Sequence, residues 1–284
     1  MTDLPLLRAV MFELCKADPD DVDFFDDLYG LACSDPSLAS LILASANAAS
    51  SSPNVHIHSL RAALTRIGSK SIYRLVALAS VAKVFIPNQP QHRELWLHSV
   101  QVAILTSEIY KSVYGKGEAE ELAYLCGLLH DIGRLVMFQF SPDIIEHIEK
   151  AEWCTPDDLI EVESVSLGYD HSSLGFLATQ KMKLPTLICN IIRYHHSVKA
   201  LTHEKVPKQM QKILLCLQVA DAISVYICRH RSWESLSLEQ FKSDMFESVL
   251  KEDWSDIYPA LDTIIKQLPE QMNNATEQAQ ALGI

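Results

Sequence analysis

Five of the eleven histidines and two aspartates of this chain stand where the spacing of apolar residues predicts buried helix faces. A protein core holds so many polar groups only if they pair with one another or bind a metal ion. Imidazole and carboxylate ligands together suit Fe, Mn, Zn, Co or Ni, and the lack of cysteine in the set argues against a structural zinc site. Carboxylates in such a set can bridge two cations and so activate water for attack on phosphorus. The seven residues are His98, His130, Asp131, His171, His195, His196 and Asp221.

Four of these candidates continue rows of apolar residues with steps of three or four, which is the spacing of one helix face. His98 begins such a row, His195 and His196 end two others, and Asp221 ends a fourth. Singly, each histidine is more often a core residue with a satisfied hydrogen bond than a ligand. Together they favour a metal site, and a polar network without any ion stays open as an alternative. The apolar members, in the same order, are Val102, Leu105 and Ile109; Leu187 and Ile191; Ile188 and Ile192; Leu214 and Leu217.

The elements that must position these side chains are helices, because helical spacing recurs along the chain and alternating strand patterns are hard to find. The fold class is therefore predicted to be all-α. Asp35 is expected to cap a helix, "SSSPN" at 50–54 to break the chain, Gly68 to form a turn, and Asp170 to cap the helix that begins at His171. The predicted helices are 34–49, "LRAALTRI", the stretch from "SKSIYRLV", 93–114, 118–139, 142–150, 157–165, 171–181, 184–197, 208–230, 238–251 and a last one near 257–281 with a break near Pro259.

Composition excludes several classes of partner. The net charge is −12 and no long basic run interrupts it, so nucleic acid and anionic membranes are not expected as partners, despite a helix-turn-helix pattern around Gly68. The seven cysteines form no Cys-x-x-Cys pair, which indicates a reducing compartment without disulfides. The N-terminal stretch lacks a basic leader, and no uncharged apolar run approaches ~18 residues, so we expect a cytoplasmic protein.

Several stretches together resemble the HD superfamily of metal-dependent phosphohydrolases, and the N-terminal portion resembles the HDOD family, a regulatory branch of that superfamily. The resemblance covers roughly residues 2–203, and it lies in the order of the motifs over that whole length. The stretches are "LPLLRAVMFELCKADPDDVDFFDDLYGLACSDPSLASLILASANAA", "LRAALTRIGSKSIYRLV", "LWLHSVQVA", "CGLLHDIGRLVM" and "DHSSLGFLATQKMKLP" with "IIRYHH".

The resemblance implies a bundle of α-helices with a metal site in its middle. It assigns His98, His130, Asp131 and Asp221 to one metal ion, with Asp131 bridging to a second ion held by His171 and by His195 or His196. HDOD proteins often lack several of these ligands, whereas the order here looks complete, as in the HD-GYP phosphodiesterases. The Gly-Tyr-Pro signature of those enzymes is absent after His196, so specificity for cyclic-di-GMP is not supported.

Two further residues enter through the resemblance. Arg134 stands where the related motif "HDIGK" has lysine, and a guanidinium can hold a phosphate with two parallel hydrogen bonds. Asp131 and Arg134 are therefore the expected catalytic pair. Glu94, one turn before His98, matches an additional ligand of some HD-GYP sites, although an exposed, solvated side chain is the favoured interpretation.

The chain is expected to divide into an HDOD-like domain over 2–203 and a C-terminal helical extension over 204–284. The domain would have an N-terminal half over about 2–86, a connector at "IPNQPQ", and a metal-site half over about 92–203. The extension would pack on the domain and supply Asp221. The function expected from the site is metal-dependent hydrolysis of a phosphoester such as a nucleotide, with two divalent ions. The alternative is a non-catalytic regulatory module that acts through a signalling protein or a bound nucleotide.

Overall fold

The computed structural model describes fifteen α-helices and two 3-10 helices, with no strand among the described residues. The residues described are 17–34, 36–48, 57–82, 90–116, 119–140, 142–151, 153–230, 232–248 and 250–281. The predicted all-α fold is confirmed. The first helices are α1 (Phe24–Ser34), α2 (Pro36–Ala48), α3 (Leu60–Ile67), α4 (Ser69–Ala82), α5 (Pro90–Tyr114), α6 (Ala119–Leu129), α7 (Ile132–Phe140) and α8 (Pro142–Glu149). The remaining helices are α9 (Pro156–Leu167), α10 (His171–Lys181), α11 (Thr186–Tyr194), α12 (Lys199–Thr202), α13 (Lys208–Arg229), α14 (Leu238–Ser248) and α15 (Leu261–Ala281), with 3-10 helices at Trp233–Ser235 and Glu252–Ala260.

Helices α5 and α13 form the centre of the bundle. Helix α5 packs against α6, α13 and α15, and α13 also contacts α6, α11 and α12. Helix α13 is long and apolar enough to cross a membrane by length and composition alone, but 89% of its most apolar window is buried inside the fold. Because other helices cover it and it carries the buried Asp221, α13 is a core helix of this bundle.

The helical conformation is interrupted at the His130–Asp131 pair, which contradicts the predicted continuous helix over 118–139. Helix α6 ends at Leu129 and α7 begins at Ile132, so the two polar residues occupy the turn between them. Gly133 in α7 lies so close to α10 that an added Cβ would fall 2.0 Å from the carbonyl oxygen of His171. The absence of a side chain at this position therefore lets the first turns of α7 and α10 meet.

The N-terminal helices are joined to the rest of the bundle through buried charges. Arg74 of α4 donates from Nε and Nη2 to the two carboxylate oxygens of Glu121 in α6, at 3.0 Å each. Lys70 donates to Glu120 at 2.9 Å. Both carboxylates are buried. The turn predicted at Gly68 is present, with φ of 85°, whereas Asp35, the stretch 50–54 and most of the connector 86–91 lie outside the described residues.

Other helix ends differ modestly from the sequence expectation. Helix α11 ends at Tyr194, before the predicted end at 197, so His195 and His196 follow it in a turn. The expected break near Pro259 is present, because a 3-10 helix precedes α15 there. Asp170 caps α10, accepting a hydrogen bond from the backbone N–H of Ser173 at 2.7 Å. The six cysteines among the described residues are all free thiols.

Candidate metal centre

The seven histidines and aspartates singled out from the sequence meet at one place in the bundle. Asp131 lies among them: its Oδ1 is 3.0 Å from His171 Nε2, and its Oδ2 is 3.8 Å from His98 Nε2. Asp221 Oδ1, contributed by α13, lies 3.3 Å from His98 Nε2 and 3.9 Å from His130 Nε2. Residues from α5, α10 and α13 and from the turns after α6 and α11 therefore share one polar centre.

The side chains form two groups. Within each group, the possible ligand atoms all lie within 4.8 Å of one another. The first group is His98, His130 and Asp221. The second is His171, His195 and His196, in which His171 Nε2 lies 3.2 Å from His195 Nε2 and 3.0 Å from His196 Nε2. Asp131 stands between the groups, with oxygens near members of both.

Hydrogen bonds at Nδ1 fix the orientation of the imidazoles in the first group. His130 Nδ1 donates to the carbonyl oxygen of Gly127 at 2.7 Å. His98 Nδ1 lies 2.9 Å from Ser224 Oγ, whose own proton goes to Gln101 Oε1 at 2.8 Å, so His98 is the donor to Ser224. Each ring consequently turns its Nε2 towards the centre of the site, as metal-binding histidines do.

The second group is oriented in the same way. His171 Nδ1 donates to Glu163 Oε2 at 2.7 Å, and His195 Nδ1 donates to the carbonyl oxygen of Ile192 at 2.7 Å. The Nε2 atoms of His171, His195 and His196 then converge. Such close imidazole nitrogens need either an added proton or a cation between them.

Without an ion, the side chains of this cluster have pKa values that are shifted in opposite directions. Burial disfavours a charged His171, but the Glu163 and Asp131 carboxylates outweigh it and raise the pKa of His171 to about 10. Burial and then the neighbouring His171 lower the pKa of His195 to about 3. Burial also opposes ionisation of Asp131, yet the imidazoles of His130 and His171 hold the pKa of that carboxyl well below its usual range. The ionised Asp131 carboxylate thus lies beside a neutral His195, whereas His171 carries a proton that a metal ion would displace on binding.

The residues present fit a divalent metal ion. His130 Nε2 is buried and has no hydrogen-bond partner among the described residues, and it faces Asp131 Oδ1 at 3.7 Å and Asp221 Oδ1 at 3.9 Å. A lone pair facing carboxylate oxygens in a buried site is unfavourable unless a cation lies between them. The donor set of imidazole nitrogens and carboxylate oxygens matches the transition metals expected from the sequence.

A cavity of about 290 Å³ opens beside the candidate ligands. Asp131 and Arg134 both line it. The buried Arg134 guanidinium lies between two carboxylates, with Nη1 3.6 Å from Asp131 Oδ2 and Nε 3.8 Å from Glu163 Oε1. Trp153 forms another part of the wall, and the guanidinium carbons of Arg134 and Arg229 lie 5.5 and 4.1 Å from its ring centre. The cavity thus combines cationic and aromatic walls next to the polar centre.

Glu94 also lines this cavity, one turn of α5 before His98. Its side chain is exposed, as the favoured interpretation of the sequence held. The structure therefore places Glu94 in the wall of the cavity, outside the two groups of candidate ligands.

A family model described as the HDOD domain matches residues 4–198, which is more than half of the chain. The chain belongs to the HDOD family. An uncharacterized protein from Treponema pallidum (strain Nichols) is 22% identical over 207 residues, covering 72% of this chain and 40% of that protein. This HDOD protein thus spans less than half the length of this curated relative.

Two solved structures share the fold of this HDOD protein. One, from Shewanella amazonensis SB2B, is named "Putative phosphohydrolase" and is 21% identical, with a TM-score of 0.64. The match covers 100% of this chain and 94% of the Shewanella chain. The other, from Marinobacter aquaeolei VT8, is named "Putative signal transduction protein" and is 18% identical, with a TM-score of 0.71. The match covers 100% of this chain and 60% of the Marinobacter chain. At these identities the likeness establishes a shared fold.

The sequence analysis did not identify the residues that hold the candidate ligands of this HDOD site in place. Glu163 is fully buried and binds His171, and Ser224 and Gln101 orient His98. A signal for Glu163 existed, because it follows the buried Leu159 by four positions and so continues the inner face of α9. Ser224 likewise lies three positions after Asp221 on α13.

Proposed function

We propose that this HDOD protein is a metal-dependent phosphohydrolase, which uses water to cleave a small phosphoester. The observation that carries the proposal is the convergence of two ligand groups on Asp131 beside a cavity lined by the buried Arg134. A metal-free polar network explains this arrangement less well, because the buried Nε2 of His130 has no hydrogen-bond partner among the described residues and faces carboxylate oxygens.

The ligands divide between two ion positions. His98, His130 and Asp221 would hold one divalent ion, and His171, His195 and His196 would hold a second. Asp131 would bridge them, because its carboxylate approaches members of both groups. Iron, manganese, zinc, cobalt and nickel all suit this donor set.

When bound, a pair of divalent ions supplies Lewis-acid polarisation of the phosphoryl group and lowers the pKa of water. The chain itself supplies the orientation and the additional positive charge. Arg134 lines the cavity next to Asp131, where its guanidinium can hold a phosphoryl oxygen and stabilise the charge that develops there. Asp131 is in contact range of both ligand groups and sets their relative position.

The cavity limits the substrate to a small phosphorylated molecule. A volume of about 290 Å³ lies at the lower end of the range for small-molecule sites. The ring of Trp153 and the second guanidinium of Arg229 give one wall an aromatic and cationic character, which suits a nucleotide-sized anion. The name of the structural relative from Shewanella amazonensis agrees with this class of reaction.

A regulatory module is the second candidate function, and membership of the HDOD family favours it. In that case the metal site would stabilise the bundle, and the output would pass to a signalling protein or depend on a bound nucleotide. The name of the relative from Marinobacter aquaeolei agrees with this alternative. For either function a cytoplasmic location stays an expectation from the sequence, and the net charge of −12 still argues against nucleic-acid and membrane partners.

Hydrolysis of bis(4-nitrophenyl) phosphate separates the two functions. The purified protein, loaded with Mn²⁺, is expected to release nitrophenolate, and Asp131→Ala is expected to abolish release. Arg61→Ala is a matched control, because Arg61 forms an exposed ion pair with Asp26 at 2.9 Å on the N-terminal helices. A fully metal-loaded protein that turns over neither this diester nor nitrophenyl phosphate contradicts catalysis and leaves the regulatory function.

A further inference from the structure

Glu163 makes two kinds of contact with the candidate metal centre. Its Oε2 accepts hydrogen bonds from the backbone N–H of His171 at 2.8 Å and from Nδ1 of the same residue at 2.7 Å. Its Oε1 accepts no hydrogen bond among the described residues and faces Arg134 Nε at 3.8 Å. The side chain is fully buried, so no solvent competes for these contacts.

The contacts with His171 fix both the start of a helix and the direction of a ring. His171 is the first residue of α10, and its backbone N–H has no partner within the helix. The carboxylate of Glu163 satisfies this N–H and holds the imidazole with Nδ1 outward. Because Nδ1 is engaged, Nε2 points towards Asp131 Oδ1 and the other two histidines of the second group.

In the part of the chain that the structure describes, no carboxylate accepts a hydrogen bond from Nδ1 of a histidine in the first group. His130 donates to the backbone carbonyl of Gly127, and His98 donates to the hydroxyl of Ser224. The second group therefore depends on a side chain from α9, a helix that supplies none of the candidate ligands. Loss of Glu163 should disturb one ion position and spare the other.

We infer that Glu163 is a positioning residue. By holding His171 in its ligating orientation, it strengthens metal binding at the second ion position. The inference rests on the proposed function only in taking the centre as a metal site, and it does not require turnover. Side chains that orient a metal-binding histidine typically contribute about 10–100-fold to metal affinity.

Two substitutions distinguish the hydrogen-bond acceptor of Glu163 from its negative charge. In Glu163→Gln, the amide oxygen can still accept both hydrogen bonds from His171, because both donors need an oxygen at that place. In Glu163→Ala, the ring loses its acceptor and the first N–H of α10 loses its partner. Glu121→Ala is the matched control, since Glu121 is also a buried carboxylate and is paired with Arg74 on the N-terminal side of α6.

The experiment titrates metal-free protein with Mn²⁺ by calorimetry and counts bound ions by elemental analysis after desalting. We expect two ions in the wild type, Glu163→Gln and Glu121→Ala, and one in Glu163→Ala, with the second affinity lowered about 10–100-fold. Circular dichroism melting of each variant shows that it is folded.

Several results would overturn the inference. These are two ions of unchanged affinity in Glu163→Ala, loss of both ions in that variant, failure of glutamine to restore the second ion, or fewer than two ions in the wild type. A wild type that binds two Mn²⁺ ions but hydrolyses no phosphoester contradicts the proposed function and leaves the role of Glu163 standing.

Discussion

Asp131 Oδ1 lies 3.0 Å from His171 Nε2, although three helices separate the two residues along the chain. The contact links the turn after α6 to the first residue of α10, and it joins the two groups of candidate ligands. Its geometry depends on the close approach of α7 and α10 at Gly133. The close packing of Gly133 against the backbone of His171 is therefore needed to bring the two groups of the proposed metal centre together.

Substitution of Gly133 by alanine should damage the site through the backbone. An added Cβ would lie 2.0 Å from the carbonyl oxygen of His171 and 2.8 Å from the backbone nitrogen of Gly175, so α7 and α10 must move apart. We expect the free energy of unfolding to fall by about 1–3 kcal/mol, as is typical of overpacking, and the second ion to bind more weakly. Urea unfolding and Mn²⁺ titration measure the two effects.

Gly30→Ala is the control for that experiment. Gly30 lies in α1 with nothing within 4 Å of an added Cβ, so alanine there should stabilise the protein by up to about 1 kcal/mol. Equal responses of the two variants would show that the approach of α7 to α10 does not matter.

Arg134 is expected to act on the substrate more than on the metal. Arg134→Gln should lower kcat by about 100-fold or more, in the range found when a donor to the developing charge is removed. Arg134→Lys should recover little, because an ammonium group lacks the two-pronged geometry of guanidinium. Initial rates with bis(4-nitrophenyl) phosphate test this, with metal content measured in parallel. Full activity in Arg134→Gln would remove Arg134 from the catalytic pair.

The buried ion pair between Arg74 and Glu121 should be essential to the junction of α4 with α6. Arg74→Ala leaves the Glu120 and Glu121 carboxylates buried with less compensation, and we expect a loss of about 3–5 kcal/mol at neutral pH. Urea unfolding curves of the wild type and variant give this value. A loss below about 1 kcal/mol would mean that solvent reaches the carboxylates when Arg74 is removed.

The same variant has a pH dependence with a definite sign. Burial already raises the pKa of Glu121 above 4.5, despite the opposing effect of Arg74. A carboxyl whose pKa is raised on folding favours the folded state at low pH, and that contribution is lost as the pH rises through the folded-state pKa. Removal of Arg74 raises this pKa further, so the destabilisation should be smaller at pH 5 than at pH 8. Unfolding curves at the two pH values, with Arg61→Ala as control, check the sign.

Chelation should lower the thermal stability of the protein as purified. An ion present at 100 times its dissociation constant stabilises the folded state by about 2.7 kcal/mol, which corresponds to a change in Tm of roughly 5–10 °C for a chain of this size. Melting curves with and without EDTA, and after Mn²⁺ is added back, measure the change. An unchanged Tm would exclude a structural contribution from the ion.

The fold class and the HDOD family were accessible from the sequence because they depend on local spacing and on the order of motifs. The break between α6 and α7 was not, since Leu129 through Phe138 continue an apolar helical pattern and only tertiary contacts stop the helix at His130. The inward faces of His98 and Asp221 were predictable from their apolar rows. Whether these side chains bind metal remains a prediction.

The role of Glu163 was harder to predict because its partners come from other helices. Glutamate is rarely buried without a partner, and nothing local identifies His171 as that partner. The signal lay in Leu159, whose burial predicts an inward direction for the residue four positions later. A buried carboxylate on an otherwise amphipathic helix is therefore a reason to look for a histidine in a neighbouring helix.

The metal content of the wild-type protein tests the central claim most directly. Elemental analysis of protein purified without chelator, or reloaded with Mn²⁺ and desalted, should give two divalent ions per chain, and Asp131→Ala should give fewer. A wild-type protein that holds no stoichiometric metal under either condition would contradict the account, because its histidines and aspartates would then form a polar network and not a metal centre.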